Sequence, residues 1–379
     1  MKNIGIICEY NPFHNGHHRQ LQLVKEQGNA ICLMSGNYVQ RGEPAIIPKS
    51  IRAEAAVLAG ADLVLELPVT YALRSAEGFA DGGVEVFTRL GIVDSLCFGS
   101  ECGDAAMLRD LAAVLDTEAF STVLRQKLEL GLSFPTARQL AVEELGYNGA
   151  LLENPNDILA VEYCKALARR GGKIEAMAIR RTGSYHHGTA LDAPSATVLR
   201  NREDWEGYIP SVSLCVQKEA VRHNLQAGER AILARLRALS EAEFAALPFG
   251  SEGLWRKLMQ SCRSANTLQD ILSATKSKRY THSRLMRMVL CAFLGIGQTQ
   301  MQEEAPYLRV LAMNRRGGKL LREIREKSKL LLLNGNEAAP ECAYRELERR
   351  AEALYGLFAE GNISSPLQRE SLRYFGDLD

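Results

Sequence analysis

Apolar and polar residues alternate in blocks along the first hundred residues, which predicts strands separated by helices. Four short apolar runs have the length and uniform hydrophobicity of strands buried on both faces of a parallel sheet: Ile4–Cys8, Ala30–Met34, Leu63–Leu67 and Ser95–Phe98. Between them, apolar residues recur at helical spacing in Gly16–Glu26, in about 50–59 and in Ala76–Leu90. This alternation predicts right-handed crossovers and a doubly wound α/β sheet.

The rest of the chain has mostly helical patterning. A fifth strand is expected at Lys173–Ile179, and a helix that begins near Ala193 is expected to run through Arg200. After about Pro210 no segment has convincing strand character, because Ala, Leu, Arg and Glu dominate at helical spacing. We therefore predict an α/β domain over residues 1–209 and an α-helical domain over residues 210–379.

The turn after the first strand carries the most informative chemistry. Tyr10-Asn11-Pro12 ends the extended segment, and His14 and His17 then stand at the start of an amphipathic helix with Gly16 between them. A helix N-terminus offers unpaired N–H groups and the positive end of a dipole, which together favour an anion. Two imidazoles beside it predict a triphosphate site, although two histidines that merely cap a helix would give the same pattern.

Composition excludes several classes of protein. An apolar fraction of 46% allows a sizeable core, and no apolar run approaches the length needed to span a bilayer. The N-terminus has no secretory signal, and nine scattered cysteines without a C-x-x-C pair indicate neither a disulfide framework nor a zinc site. We therefore expect a cytoplasmic protein with no membrane partner and no protein-bound metal.

One region departs from the overall net charge of +1. Residues 276–329 contain thirteen Lys and Arg against four Glu, a local charge of +9. Such a region in an otherwise neutral chain predicts a surface that binds a nucleic-acid backbone, and a solvated helix face is the alternative.

No Gly-rich loop of the Walker or dinucleotide type is present, so other residues must help to hold phosphate. Ser195, Thr197 and Arg200 at a helix start can do so, or they form an ordinary cap and a surface arginine. Strand-end arginines 180 and 181 can grip a nucleotide or be solvated, and Asn156 can be a base-reading amide or a helix cap. Lys49 and Arg52, after residues 36–42, are expected to sit in a long flexible segment that could close over a substrate.

The His-Asn-Gly-His turn, together with 195–200, resembles the H-x-G-H nucleotidyltransferase superfamily. A longer pattern resembles the bacterial tRNA(Met) cytidine acetate ligases and is distributed over segments 5–17, 34–44, 60–68, 98–101, 156–163, 278–285 and 307–311. Two positions depart from that family pattern: Asp157 stands where a second Asn is expected, and Arg180 where Lys is usual.

The resemblance implies a Rossmann-like nucleotidyltransferase domain with ATP as a substrate, and Mg²⁺ would be a plausible companion of the triphosphate. The implied reaction makes acetyl-adenylate from acetate and ATP and acetylates the wobble cytidine of elongator tRNA(Met) at N4. His14 and His17 would be catalytic, and the helical domain would bind tRNA through Lys276, Lys278, Arg279, Arg284 and Arg287. The implied ATP-binding positions are Ile7, Cys8, Glu9, Tyr10, Asn11, Pro12, Phe13, His14, Asn15, Gly16, His17, His18, Arg19, Gln20, Gly99, Asn156, Arg181 and Thr182.

Two other hypotheses fit parts of the sequence. A nucleotidyltransferase that modifies a small phosphorylated metabolite would share the first turn but would give no role to the basic region. An RNA-binding protein with a vestigial nucleotide fold would use the basic region, but the intact His14 and His17 speak against it.

Overall fold

The computed structural model describes residues 1–181, 196–277, 280–334, 337–361 and 373–376. Its strands are β1 Lys2–Cys8, β2 Gly28–Ser35, β3 Tyr38–Val39, β4 Glu43–Pro44, β5 Leu63–Leu67, β6 Ser95–Ser100, β7 Glu175–Arg180, β8 Tyr307–Asn314, β9 Leu331–Asn334 and β10 Arg373–Phe375. Its α-helices are α1 Asn15–Lys25, α2 Lys49–Leu58, α3 Val69–Ala72, α4 Ala76–Leu90, α5 Ala105–Leu115, α6 Glu118–Glu129, α7 Phe134–Glu144, α8 Pro155–Arg169, α9 Ala196–Arg200, α10 Ser211–Lys218, α11 Leu225–Ala238, α12 Glu241–Ala245, α13 Leu254–Ser264, α14 Leu268–Thr275, α15 His282–Leu294, α16 Gln298–Gln302, α17 Arg315–Lys327 and α18 Ala343–Tyr355. Two short 3₁₀ turns lie at Gly149–Leu152 and Gly356–Phe358.

Strand β1 lies at the centre of the main sheet. Strands β2 and β5 follow on one side and β6 and β7 on the other, and these five strands are parallel. The chain therefore moves outward from β1 in one direction and then returns to continue in the other. In such sheets the crevice at the carboxyl ends of the central strands, where the order reverses, is the usual ligand site.

The five strands and three helices predicted in the first 180 residues are confirmed, with bounds shifted by a few residues at most. The expectation that no strand follows Pro210 is wrong. Strand β8 extends the sheet beside β5 in antiparallel orientation, and β9 and β10 both pair with β8 in parallel. The eight residues of β8 form a short apolar run, which periodicity alone cannot distinguish from a segment of buried helix.

Helices α11 to α16 and α18 surround a second hydrophobic core, which also includes Tyr38 and Leu73 from the first part of the chain. The Tyr38 hydroxyl donates to the Ala351 carbonyl over 3.0 Å, and the Tyr355 hydroxyl donates to the Ala45 carbonyl over 2.8 Å. The helical region therefore packs on the segment that follows β2. The division between residues 209 and 210 remains a prediction, and β8 to β10 from the second part share the sheet of the first.

The β3–β4 hairpin is seated closely on helix α15. Gly42 at its turn has φ of +84°, and a Cβ atom there would lie 2.4 Å from the backbone nitrogen of Arg287. Glycine is therefore required at this turn both for its left-handed conformation and for the close approach of α15.

Among the residues that the structure describes, no helix combines the length and the apolar character needed to cross a membrane.

Candidate active site

The turn after β1 places two histidines together at the start of α1. His14 is the N-cap of this helix: its Nδ1 atom accepts the backbone N–H of Gly16 over 3.0 Å. In turn, the backbone N–H of His14 donates to Nδ1 of His17 over 3.3 Å. The two rings stack with centroids 3.8 Å apart, so the reciprocal cap fixes both imidazoles in one orientation.

This capping determines which nitrogen of each ring carries the proton. Because Nδ1 of both histidines accepts a backbone N–H, a neutral imidazole must carry its hydrogen on Nε2. Each ring therefore has an Nε2–H group available as a donor away from the helix cap. The capping and the anion-binding interpretations of the sequence are thus compatible, since one nitrogen serves each.

Both histidines are neutral at physiological pH in the unliganded protein. Burial and, to a smaller extent, the positive charge of Arg181 together lower the pKa of His14 to about 3. The pKa of His17 is also well below its usual value, because of burial and then of the nearby His14 and Arg181. A neutral imidazole can donate its single proton to a phosphate oxygen without a competing salt bridge.

The segment 197–217 supports the histidine turn from outside the sheet. Arg200 donates to the Asn11 carbonyl over 3.2 Å, and the Asn15 backbone N–H donates to the Tyr208 carbonyl over 2.9 Å. The Gln217 amide pairs with the backbone of Phe13: its oxygen accepts the Phe13 N–H over 3.0 Å, and its NH₂ group donates to the Phe13 carbonyl over 3.1 Å. Arg200 therefore lies beside the first turn and contacts its backbone, while its role in holding phosphate stays a prediction.

Arg200 also contacts Thr197, whose Oγ1 accepts from Nη2 over 3.2 Å. The third predicted member of this group, Ser195, lies outside the described residues, as does Thr182, one of the predicted ATP-binding positions.

The neighbouring strands β6 and β7 bring the second set of predicted residues to the same edge. Gly99 lies in β6, and a Cβ atom there would meet Cγ of Arg181 at 3.3 Å. The backbone N–H of Arg181 donates to the Ser100 carbonyl over 2.9 Å. Asn156 in the first turn of α8 donates from Nδ2 to Glu101 over 2.6 Å. The sheet therefore assembles Gly99, Asn156 and Arg181 around the ends of two adjacent strands.

The predicted ATP-binding segment divides into groups with different surroundings. The side chains of Ile7, Cys8, Tyr10 and Phe13 are buried in the core, so only their backbone can face a ligand. Gln20 is half-buried and donates to the Cys97 carbonyl over 3.4 Å. Glu9 is also half-buried, and its carboxylate accepts the Gln40 backbone N–H over 2.7 Å. The remaining members of the segment lie in the turn and the first turns of α1: Asn11, Pro12, His14, Asn15, Gly16, His17, His18 and Arg19.

The expectation that Lys49 and Arg52 belong to a segment that could close over substrate is wrong. Both residues lie in helix α2 and are buried. Arg52 donates to the carbonyls of Glu9 over 2.6 Å, of Ser35 over 3.0 Å and also of Gly36. Its guanidinium thus holds the ends of β1 and β2 together beneath the site, which is why a fully buried arginine is retained there.

The basic stretch 276–329 does not form one surface. Strand β8 runs antiparallel to β5, so helix α17 begins at the edge of the sheet opposite the histidines. There a Cβ atom on Gly317 would lie 1.9 Å from the carbonyl oxygen of Asp62. Helix α15, by contrast, packs against the β3–β4 hairpin that follows β2. The thirteen basic residues of this stretch therefore do not share one surface.

The predicted tRNA-binding residues also differ from one another. Lys276 is exposed, whereas Arg287 is buried, donates to the Gln40 carbonyl over 3.3 Å and leaves its Nε atom without a partner. Burial lowers the pKa of Arg287 to about 10. Arg284 is half-buried and donates to the Phe249 carbonyl over 2.8 Å. Lys278 and Arg279 lie outside the described residues.

Several residues at the site were not found from the sequence. Gln217 holds the Phe13 backbone, and the patterning of its segment gives no sign of a partner so distant in the chain. Glu101 belongs to segment 98–101 of the family pattern, but its hydrogen bond with Asn156 was not predicted. In the part of the chain that the structure describes, no three His, Cys, Asp or Glu side chains are grouped as a metal site. The expectation of Mg²⁺ with the triphosphate remains a prediction.

Comparisons with known proteins agree with this geometry. The family model described as HIGH Nucleotidyl Transferase matches residues 1–370. Curated tRNA(Met) cytidine acetate ligases are similar along the chain: that of Alkaliphilus metalliredigens is 36% identical and that of Caldicellulosiruptor saccharolyticus 37%, with 98% and 94% of each chain covered.

A solved structure extends the similarity to the fold. The crystal structure of Thermotoga maritima TmcAL bound with alpha-thio ATP superposes with a TM-score of 0.85 at 29% identity, and covers 99% of this chain and 100% of that one. The matched segment includes the capped histidine pair, the crevice between β1 and β6, and the returning strand β8. The chain therefore belongs to the HIGH nucleotidyltransferases and, among them, to the family of the tRNA(Met) cytidine acetate ligases.

Proposed function

We propose that this protein is an ATP-dependent ligase that activates acetate as acetyl-adenylate and transfers the acetyl group to N4 of the wobble cytidine of elongator tRNA(Met). The observation that carries the proposal is the pair of neutral imidazoles whose Nδ1 atoms are occupied by the cap of α1. This arrangement leaves two Nε2–H donors beside a helix N-terminus, at the strand edge where α/β proteins bind nucleotides.

The chemistry of the two substrates requires activation. The exocyclic amine of cytosine is conjugated with its ring and is a poor nucleophile, while free acetate is a poor electrophile. Attack of an acetate oxygen on the α-phosphorus of ATP forms a mixed anhydride and releases pyrophosphate. The amine then attacks the acetyl carbon, AMP leaves, and one amine proton is lost.

In the first step negative charge grows on the phosphoryl oxygens and on the departing pyrophosphate. The Nε2–H groups of His14 and His17 are the donors that would stabilise this charge, together with the positive end of the α1 dipole. The backbone N–H groups of the first turn of α1 are already hydrogen-bonded within the protein. Because the cap fixes the imidazoles before ATP arrives, little reorganisation is needed at the moment of reaction. Gly99, Asn156, Arg181 and Thr182 would hold the nucleoside end.

The tRNA would lie on the helical side of the site. Lys276, Lys278, Arg279 and Arg284 are the basic residues that we assign to its backbone, and Arg287 is omitted because its side chain is buried. The anticodon base would reach the strand edge past the β3–β4 hairpin. All nine cysteines are free thiols, which is in keeping with a reducing compartment, and we infer that the protein acts in the cytoplasm.

The direct experiment supplies ATP, labelled acetate and unmodified elongator tRNA(Met), and measures labelled N4-acetylcytidine after nuclease digestion. We expect product with the native protein. His17→Ala is expected to abolish acetyl-adenylate formation while tRNA affinity stays within about threefold, because the basic residues lie elsewhere.

Absence of acetylated cytidine across a broad range of metal ions and pH would refute the proposal. ATP–pyrophosphate exchange that requires a phosphate ester and ignores acetate would instead favour a transferase of small metabolites. Equal loss of adenylate formation and tRNA binding in the His17 variant would contradict the separation of the two surfaces.

A further inference from the structure

Glu101 makes a two-point contact with the start of helix α8. Its Oε1 atom accepts from Nδ2 of Asn156 over 2.6 Å, and its Oε2 atom accepts the backbone N–H of Asp157 over 2.9 Å. Both Glu101 and Asn156 are half-buried. The carboxylate therefore satisfies one unpaired donor of the helix terminus and at the same time holds the asparagine side chain.

The same helix start is anchored a second time to the end of β6. The Ser100 hydroxyl donates to Oδ1 of the buried Asp157 over 2.5 Å, and the backbone N–H of Cys102 donates to the same oxygen over 3.2 Å. Glu101 lies between these two anchor points in the chain. Its position relative to Asn156 is therefore set on both sides, by the Ser100 hydroxyl and by the Cys102 backbone.

The chemistry of this contact determines the orientation of the Asn156 amide. A glutamate carboxylate accepts hydrogen bonds only, so the amide group that faces it must be the NH₂ group. The amide oxygen then points to the other side. No group among the described residues donates a hydrogen bond to that oxygen, which leaves an acceptor available at the end of β6.

This acceptor and the histidine pair are tied to neighbouring strands of the sheet. The histidines follow β1, and Asn156 is tied to the end of β6, which neighbours β1 and lies next to β7. Adjacent strands are ~4.8 Å apart, so the two groups lie at the same edge of the sheet, at the ends of neighbouring strands. A nucleotide with its phosphates at the histidines would extend its base toward β6 and β7.

We propose that Glu101 is a positioning residue that fixes Asn156 as a hydrogen-bond acceptor, so that the site selects adenine through its exocyclic amine. Adenine presents an N6–H₂ donor where guanine and hypoxanthine present an O6 acceptor. If guanine or hypoxanthine were bound, the Asn156 oxygen would face O6, and two hydrogen-bond acceptors would oppose each other. A site whose polar group needs a donor strongly rejects a base that lacks this donor. This inference rests on the proposed function in that it takes ATP as the substrate.

Glu101→Gln tests the inference by reversing the amide. The oxygen of Gln at position 101 can still accept the Asp157 N–H, but the NH₂ group of that glutamine then faces Asn156. The Asn156 amide must therefore rotate, so that its oxygen faces residue 101 and its NH₂ group faces the base. ITP is the probe, because inosine has O6 and lacks the 2-amino group of guanosine. We expect the ratio of kcat/KM for ATP to that for ITP, in acetate-dependent pyrophosphate exchange, to fall at least tenfold.

Glu153→Gln is the matched control. It removes the same charge just before α8, where Glu153 is exposed and accepts from Gln139 over 2.8 Å. Its ATP to ITP ratio should stay within twofold of that of the native protein. A loss caused only by weaker electrostatics at the helix start would appear in both variants and would contradict the inference.

Calorimetric binding of ATP and ITP to the native protein and the variants makes the test independent of the acetate reaction. If acetate-dependent exchange is absent but the binding ratio shifts in Glu101→Gln, the proposed function fails and this inference stands. A ratio within threefold of native in a folded Glu101→Gln variant overturns the inference. If that variant does not fold, Asn156→Ala decides: loss of the preference for ATP supports the inference, and an unchanged preference overturns it.

Discussion

Replacing His14 can separate the two roles of its ring. Its Nδ1 atom caps helix α1 by accepting the Gly16 N–H, while Nε2–H is the proposed donor to phosphate. In His14→Asn the side-chain oxygen reaches the position of Nδ1 and retains the cap, but nothing occupies the position of Nε2. In His14→Gln the longer amide reaches the position of Nε2 and loses the cap.

The expected magnitudes differ by property. Asparagine is among the best N-cap residues, so His14→Asn should change the free energy of unfolding by less than ~0.5 kcal/mol, whereas His14→Gln should lower it by ~1 kcal/mol. Loss of one donor to a developing oxyanion costs ~10²–10³ in rate, so acetyl-adenylate formation should fall by that factor in His14→Asn. His14→Gln should retain the greater part of the activity.

Acetate-dependent ATP–pyrophosphate exchange measures the activity, and urea unfolding measures the stability of the same preparations. The ranking of the two variants by stability should be the reverse of their ranking by activity. The asparagine variant should be the more stable and the less active, and the glutamine variant the less stable and the more active. An asparagine variant with native exchange activity would show that Nε2–H of His14 does not contact the reacting phosphate.

Three further predictions follow from burial, backbone conformation and charge. The pKa of His14 is lowered to about 3 in the folded protein, against 6.5 for the free side chain, so the unfolded state binds a proton first as the pH falls. The free energy of unfolding should therefore decrease between pH 6.5 and about 3, by up to ~1.4 kcal/mol per pH unit. Urea unfolding measures this slope, which should be smaller in His14→Asn. Gly42→Ala should lower the free energy of unfolding by ~3 kcal/mol or more, because the new Cβ is strained by the left-handed backbone and also overlaps the backbone of α15. Gly131→Ala is the control, with a similar φ of +81° but no atom within 4 Å of the added Cβ, and should cost ~1 kcal/mol in thermal or urea unfolding. Equal losses would show that the hairpin is not held against α15. Neutralising Lys278 and Arg279 to Gln should weaken tRNA binding and reduce the slope of log affinity against log salt by about 2, measured by filter binding, with acetyl-adenylate formation unchanged.

The parts of the fold that local pattern determines were predictable. The buried run that ends at Cys8, the turn at Asn11-Pro12 and the amphipathic helix after Gly16 each carry their own signal within about ten residues. Parallel strands buried on both faces are uniformly apolar, which is why the five strands of the first part were found.

Features that depend on distant partners were not predictable. Strand β8 pairs with β5 across some 240 residues of sequence, and its Arg309 is accommodated by Glu348 in α18, over 2.7 Å, which no local pattern records. Arg287 belongs to a basic stretch in the sequence but packs under the β3–β4 hairpin in the fold. Charge counted along a chain does not reveal which residues share a surface.

The return of the chain to β8 has a consequence for synthesis on the ribosome. Until residues 307–314 have emerged, the open side of β5 presents unpaired backbone groups and the apolar residues Leu63 and Leu65, an edge that invites pairing with other nascent chains. A fragment ending near residue 209 would keep that edge permanently. The sheet that carries the histidine turn is therefore completed only after residues 307–314 have been translated.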